Sequence, residues 1–396
     1  MSSLSQLYSA IQFNSSEIDQ SLLDISDKTR SNNFTWNGQF SPQFIEVLLN
    51  KYTYGSIVVA DPFLGSGTVL LECARKNISA YGVVLNPSAY YISKIYEYCE
   101  FLKDERIDLL KKVEVILIKS LITEKPLEVL SSNISECEDN TIKNLLSLLI
   151  ILIDVFKNNF SKILLMSKWR KIKNIILNLP YTKKTIQAYL GDARNLPYSD
   201  NYIDLIITSP PYINVFNYHQ NYRKSVELLG FDVLNIAKKE VGSNRKNRSN
   251  RLLTVIQYSI DMSLALKEMV RVCKPEARII LVVGRESNVL SSAISNSQLI
   301  FDIGSRIFSL SLLLKQQRVF KNKFGQYIYE DILHFSNKNK NKVTILDQDL
   351  LLYSREIAVN MLQSKSFAIN IDDKLRFYFS DAIKNSHKVF ASEGFK

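Results

Sequence analysis

The chain has 396 residues, room for two or three domains or for one large α/β domain with insertions. Its 46% hydrophobic and 22% charged residues exclude a disordered or fibrous protein, and a formal net charge of +11 suits a polyanionic partner. Four scattered cysteines and three histidines, with no CxxC pair, exclude a zinc site and a disulfide framework; a reducing cytoplasm is the expected compartment.

The N-terminus lacks a basic segment followed by an apolar one, so no export signal is expected. Residues 1–36, rich in Ser and Asn, read as a partly ordered arm. From Phe40 the pattern sharpens. FSPQFIEVLLNKY predicts a helix with Ser41 as N-cap and Pro42 in its first turn. A strand at 56–60 then runs through DPFLGSGT into a helix that begins near Thr68, and the unit repeats as a strand at 79–84 and a helix at 88–98. Strand, turn, helix, strand, helix is the opening of a parallel α/β sheet.

Residues 100–180 have helical spacing and interrupt the sheet. The run Leu145–Ile153 is half the length needed to cross a bilayer and reads as a buried helix. Strands return at 186–190, 203–207 and 278–283, the last after a helix over 255–273. Segments 305–314 and 326–335 fit an antiparallel pair that closes the sheet. Beyond 336 the text predicts a strand and one or two helices.

Two loops carry chemistry. In DPFLGSGT, Asp61 ends a strand, Gly65 and Gly67 permit a tight turn, and Thr68 opens a helix, a crevice of the kind in which α/β proteins bind nucleotides. The loop has neither the G-x-G-x-x-G pattern nor the lysine of a phosphate-binding loop, so an amino-bearing, cationic ligand suits it better than a diphosphate. A purely structural turn is the alternative. The second loop, TSPPY, follows the strand IDLII. Its two prolines fix φ and remove backbone donors, leaving a stiff segment that presents carbonyl groups.

Together, DPFLGSGT and TSPPY resemble the cofactor and catalytic motifs of the S-adenosylmethionine-dependent DNA amino-methyltransferases, and FSPQF resembles their methionine-side motif. The serine of SPPY is similar to the cytosine-N4 branch. The likeness spans 40–98 and 186–335 and implies a Rossmann-like α/β methyltransferase fold, a mixed seven-stranded sheet with a helical insertion. The implied division is an arm (1–36), a cofactor-binding part (37–99), a helical insertion (100–185), a catalytic part (186–335) and a C-terminal extension (336–396).

The resemblance also implies roles. Asp61 and the backbone from Phe63 to Gly67, with Thr68, surround the amino-acid part of S-adenosylmethionine, Phe40 and Ser41 close that end, and Asp192 accepts from the adenine amino group. The family's second strand ends in an acid that grips the ribose hydroxyls; here Val84 stands there, and Asn86 is the residue that could substitute. Ser209 Oγ and the Pro210 carbonyl, stiffened by Pro211, are acceptors for the target amino group, and Tyr212 is an aromatic plane for an extruded base. With no Pro-Cys pair, attack at ring carbon 6 by a cysteine is excluded. His219 is near enough to TSPPY to touch substrate.

Three basic tracts lack acids. Residues 155–191 include Lys168, Arg170, Lys171 and Lys173 around Trp169; 241–260 include Arg245, Lys246, Arg248 and Arg251; 303–329 include Arg306, Lys315 and Arg318. They fit a cleft over duplex DNA, with solvated faces as the bland alternative. The expected function is sequence-specific methylation of cytosine N4 in duplex DNA by base flipping and direct transfer, protecting host DNA from a cognate restriction endonuclease that acts at the same site without a stable complex. Adenine-N6 methylation, RNA methylation and an inactive DNA-binding relative are the alternatives.

Overall fold

The computed structural model describes all residues except 1–3, 26, 156–159, 214–216, 244–246, 248, 322–324, 339–344, 368–371 and 394–396. The N-terminal arm carries α1 (Leu4–Ala10) and α2 (Gln20–Asp24), and the FSP motif opens α3 (Pro42–Tyr52). Ser41 is its N-cap by position, but the hydroxyl makes no capping bond. Next come β1 (Val58–Asp61), α4 (Thr68–Arg75), β2 (Ser79–Val84) and α5 (Pro87–Lys94), which runs on as a 3-10 turn to Glu100.

Residues 103–177 are the helical insertion: α6 (Lys103–Leu121), α7 (Pro126–Glu136), α8 (Asn140–Ile153) and α9 (Lys162–Leu177). The apolar run lies in α8, where every residue from Leu145 to Ile153 is buried. No helix among the described residues is long and apolar enough to cross a membrane. The sheet resumes with β3 (Ile186–Leu190) and β4 (Ile203–Thr208), followed by α10 (Arg223–Leu228), α11 (Val233–Lys239), α12 (Leu253–Val272) and β5 (Cys273–Gly284).

A hairpin of β6 (Glu286–Val289) and β7 (Ser292–Ser295) then leads into α13 (Asn296–Ile307), β8 (Ser311–Lys321) and β9 (Tyr327–Ser336). The expected strand at 305–314 therefore begins only at Ser311. Ile300, Phe301, Ile303, Gly304 and Ile307 bury a helical stripe, and this period overrides the β-branched text at its end. After 336 the described elements are α14 (Asp347–Ser366) and α15 (Asp373–Lys384), with no strand among the described residues.

The seven strands lie in the order β3-β2-β1-β4-β5-β9-β8. Parallel pairing runs from β3 to β5, and β9 is antiparallel to both its neighbours. This is a Rossmann-like α/β arrangement with the expected mixed seven-stranded sheet. The chain winds one way from β1 to β3 and the other way from β4, so a crevice opens at the carboxyl ends of β1 and β4, where such sheets bind ligands. Aliphatic β1, β4 and β5 are buried on both faces, as central parallel strands require.

The arm is more ordered than its composition suggests. The Gln20 amide donates to the carbonyl of Gln317, and the amide of Val319 donates to Asp24, so α2 covers the exposed edge of β8. Tyr8, Leu23, Phe34 and Trp36 are buried. Cys73, Cys99 and Cys273 are buried too, and burial pushes the Cys99 thiol up to about 12, the state of an inert core thiol.

Candidate functional site

Asp61 at the end of β1 and Thr208 at the end of β4 meet across the crevice. Thr208 Oγ1 donates to Asp61 Oδ1 at 2.6 Å, and the amide of Phe63 donates to the same oxygen at 3.1 Å. The carboxyl is 1% exposed, and burial raises it to about 7 despite these two bonds. It is thus a poorly solvated acid at the edge of a cavity, suited to a cationic ligand that restores its charge.

The turn between β1 and α4 is fixed by close packing. Leu64 donates its amide to the Val83 carbonyl and lays its side chain on Gly82, where a Cβ would come within 2.5 Å of it. Gly67 has φ +84°, and a Cβ there would lie 2.8 Å from the Tyr96 ring. The side of Gly67 that a Cβ would occupy is packed between α4 and the segment after α5. Gly67→Ala combines left-handed strain with overpacking and is expected to cost about 2–4 kcal/mol. In urea unfolding, the midpoint should fall at an unchanged slope.

A cleft of about 940 Å³, open to solvent, begins above this turn. Its walls include Asp61, Phe63, Gly65 and Thr68 around the turn, Val84 at the end of β2, Asn86 after it, and Phe40 beside α3. Asp192 and Ala193 after β3 and Ser209 and Pro211 after β4 complete the far side. Motifs separated by up to 170 positions in sequence thus converge on one cavity. Ser41 lines a second, adjoining cavity instead.

The arm supplies a wall that sequence reasoning missed. Trp36, Asn37, Gly38 and Gln39 line the cleft, and Trp36 stacks on Tyr218 at 6.0 Å between centroids. Ser66 donates to Gln39, Thr68 donates to Asn32, and Asn32 donates to the Phe40 carbonyl. These bonds latch the arm over the glycine turn. The aromatic TWNGQF immediately before the FSP motif was the available signal.

Asp192 accepts from Arg194 through both oxygens, at 2.9 and 2.7 Å, and Arg194 is paired on its other side with buried Asp261 at 2.6 Å. The carboxylate is held rigidly and still has lone pairs for a ligand amino group. Asn86 is committed elsewhere. Its Oδ1 accepts from the amide and hydroxyl of Ser88, capping α5, and its Nδ2 donates to the Tyr218 carbonyl. That leaves the ribose contact expected of Asn86 without a free acceptor.

Within the TSPPY loop, Ser209 and Pro211 face the cleft. Tyr212 turns its ring against Gly284 and donates its hydroxyl to Glu330 Oε1 at 2.9 Å, while Ser209 hydrogen-bonds the same phenol. Burial, reinforced by Glu330, holds the phenol well above its ordinary value, so it remains a donor. His219 is buried and directs Nδ1 to Glu240 Oε2 at 2.8 Å, behind the cleft wall.

Around the cleft, the basic tracts divide. On α9, Trp169 is buried in the core rather than part of a surface patch, and its indole shares Glu114 with Lys173. Lys168 and Lys171 lie on one flank of the helix, with Lys171 5.2 Å from the Phe34 ring beside the arm. Arg170 is exposed on the opposite flank. Lys315 is buried against Tyr8, and Arg318 is buried between Phe44 and Phe320, so these two are structural, whereas Arg306 is exposed. Arg251 is exposed; Arg245, Lys246 and Arg248 lie outside the described residues.

Residues 12–97 match the family model described as DNA methylase, of the N6/N4 type. The type II methyltransferase M.MjaII of Methanocaldococcus jannaschii is 32% identical over 82 residues, 20% of this chain and 16% of that protein. The chain thus aligns with less than a fifth of the curated relative's length. Among solved structures, a S-adenosylmethionine-dependent methyltransferase of Methanosarcina mazei shares 11% identity, covering 73% of this chain and 96% of that one, with a TM-score of 0.35. Geranyl diphosphate methyltransferase shares 7%, covering 75% and 77%, with a TM-score of 0.31.

The matched segment holds the FSP motif, the glycine turn and β2, and over that segment the chain is similar to the N6/N4 DNA methylases. The matched motifs imply S-adenosylmethionine as the cofactor. The cleft fits that molecule: a buried acid stands at one end, a carboxylate acceptor stands after β3, and Phe63, Val84 and Trp36 supply apolar wall between polar ends.

Proposed function

We propose that the chain methylates the exocyclic N4 of cytosine in duplex DNA. The observation that carries this reading is the position of Ser209, which lines both the cofactor cleft and the second cavity, about 980 Å³ and open to solvent. The second cavity is bordered by Asn32, Phe40, Arg318, Phe320 and Glu330 and is the place for an extruded base.

S-adenosylmethionine supplies a methyl group on a cationic sulfur, so the protein needs no covalent nucleophile. Ser209 Oγ and the Pro210 carbonyl accept from the target amino group, favouring a pyramidal nitrogen whose lone pair is available. Tyr212, braced by Gly284 and Glu330, fixes the loop that presents these acceptors; its ring packs on Gly284 and borders neither cavity, so the stacking role expected of it is replaced by a positioning one. Serine at the first position of SPPY favours cytosine N4 over adenine N6.

The insertion over 100–185 and the loop over 214–252 hold and read the duplex. Replacing Lys168 and Lys171 with glutamine should weaken matched and unrelated duplexes alike and lower the salt slope by about 0.9 per lost phosphate contact. Lys173→Gln should change it little, because Glu114 already pairs with that lysine at 2.8 Å. Fluorescence anisotropy over a salt series measures both.

The activity fits the protective arm of a restriction-modification system, with a cognate nuclease acting at the same site without a stable complex. Mapping modified bases in DNA from cells that express the protein tests the proposal. N4-methylcytosine within one recurring sequence is expected; modified adenine alone, or modification confined to RNA, overturns it.

A further inference from the structure

Glu240 follows α11 on the cleft wall and has no assigned part in the site so far. It is 8% exposed, and its Oε1 is buried without a hydrogen-bond partner among the described residues. A buried carboxylate oxygen left unsatisfied is costly and calls for an explanation. Its other oxygen, Oε2, is held by the buried ring of His219 at 2.8 Å, so the carboxylate has a fixed orientation.

The backbone on either side is also anchored. The Lys239 carbonyl accepts from Arg194 at 3.1 Å and from Ser392 at 3.3 Å. Gly242, at φ +77°, packs on the Tyr212 carbonyl so closely that a Cβ would come within 2.6 Å. The segment therefore spans from the Asp192–Arg194 pair to the catalytic loop along one side of the cavity.

The end of β2, on the wall of the same cleft, supplies no free side-chain acceptor. β2 ends in Val84, which has no polar side-chain atom, and Asn86 spends its amide on Ser88 and on the Tyr218 carbonyl. That last bond joins the end of β2 to the residue preceding His219, and His219 carries Glu240. A nucleoside cofactor held in this cleft would present two vicinal ribose hydroxyls, each a donor that needs an acceptor. We propose that Glu240, delivered from the segment after α11 and oriented by His219, accepts from the ribose hydroxyls of the cofactor in place of an acid at the end of β2.

The inference rests on the reading of the cleft as the cofactor site, and its test separates the two. The probes are S-adenosylhomocysteine and its 2′-deoxy and 3′-deoxy forms, titrated calorimetrically into the full chain and into Glu240→Ala. The parent should bind the dihydroxy compound at least about tenfold more tightly than one of the deoxy forms, the scale of a hydrogen bond to a charged group. In Glu240→Ala the dihydroxy compound should weaken by that factor, while the discriminated deoxy form changes less than about twofold, so the preference vanishes. If alanine unfolds the chain, the near-isosteric Glu240→Gln carries the same comparison, with a reduced preference expected. An unchanged preference in a folded variant, or equal weakening for all three compounds, overturns the assignment. A folded parent that binds none of them overturns the cofactor reading as well.

Discussion

Asp61→Asn is expected to move cofactor affinity and protein stability in opposite directions. The carboxylate is the one acid of the glycine turn, and loss of its charge-assisted bond to a ligand ammonium should weaken S-adenosylmethionine by about 10- to 100-fold, from about 1.5–3 kcal/mol. The folded protein, by contrast, should gain stability above neutral pH. Burial raises Asp61 from 3.8 to about 7, so the stability contributed by the neutral carboxyl is fully present below pH 4 and is lost as pH rises through 7. Asparagine keeps an acceptor for Thr208 and the Phe63 amide but never ionises. Thermal unfolding of the cofactor-free proteins at pH 5 and pH 8 should show a variant advantage at pH 8 that shrinks at pH 5. Calorimetry on the parent should show affinity falling as pH drops below about 7, because the ligand requires the ionised form.

Ser209→Ala should leave cofactor affinity within about twofold and lower single-turnover methyl transfer by about 10²-fold, the scale for removing one group aimed at charge that develops in the transition state. The placement of Ser209 at the meeting of the two cavities is the basis for this split. Stopped-quench transfer from labelled cofactor and separate binding titrations check it. A variant that binds cofactor tenfold more weakly would reassign Ser209 to the cofactor cleft alone.

The local units of the fold were legible because each carries its own period and punctuation. The β1 turn is marked by two glycines and an acid, β4 by an aliphatic run before two prolines, and α3 by a serine and a proline at its start. The convergence of Asp61, Asp192 and Ser209 on one cleft could be anticipated from strand ends alone. The arm could not, since its Ser- and Asn-rich text has no helical or strand period. What orders it are single bonds such as Gln20 to the Gln317 carbonyl, made across some 297 positions.

Charge was the least legible quantity. Lys173, Lys315 and Arg318 look like parts of solvated tracts, yet Glu114, the Tyr8 and Phe13 rings, and Glu330 neutralise or cover them from distant elements. An acid-free stretch of sequence is therefore not an acid-free surface. Glu240 shows the reverse case: an acid amid a basic stretch, KKEVGSNRKNR, whose neighbours in space are His219 and the cofactor cleft.

Transfer of a methyl group to cytosine N4 is measured by incubating the purified chain with unmethylated duplex DNA and methyl-labelled S-adenosylmethionine, then digesting to nucleosides. Label is expected in N4-methylcytosine. Label in N6-methyladenine alone, or no transfer by a folded protein that binds the cofactor and the DNA, would contradict it.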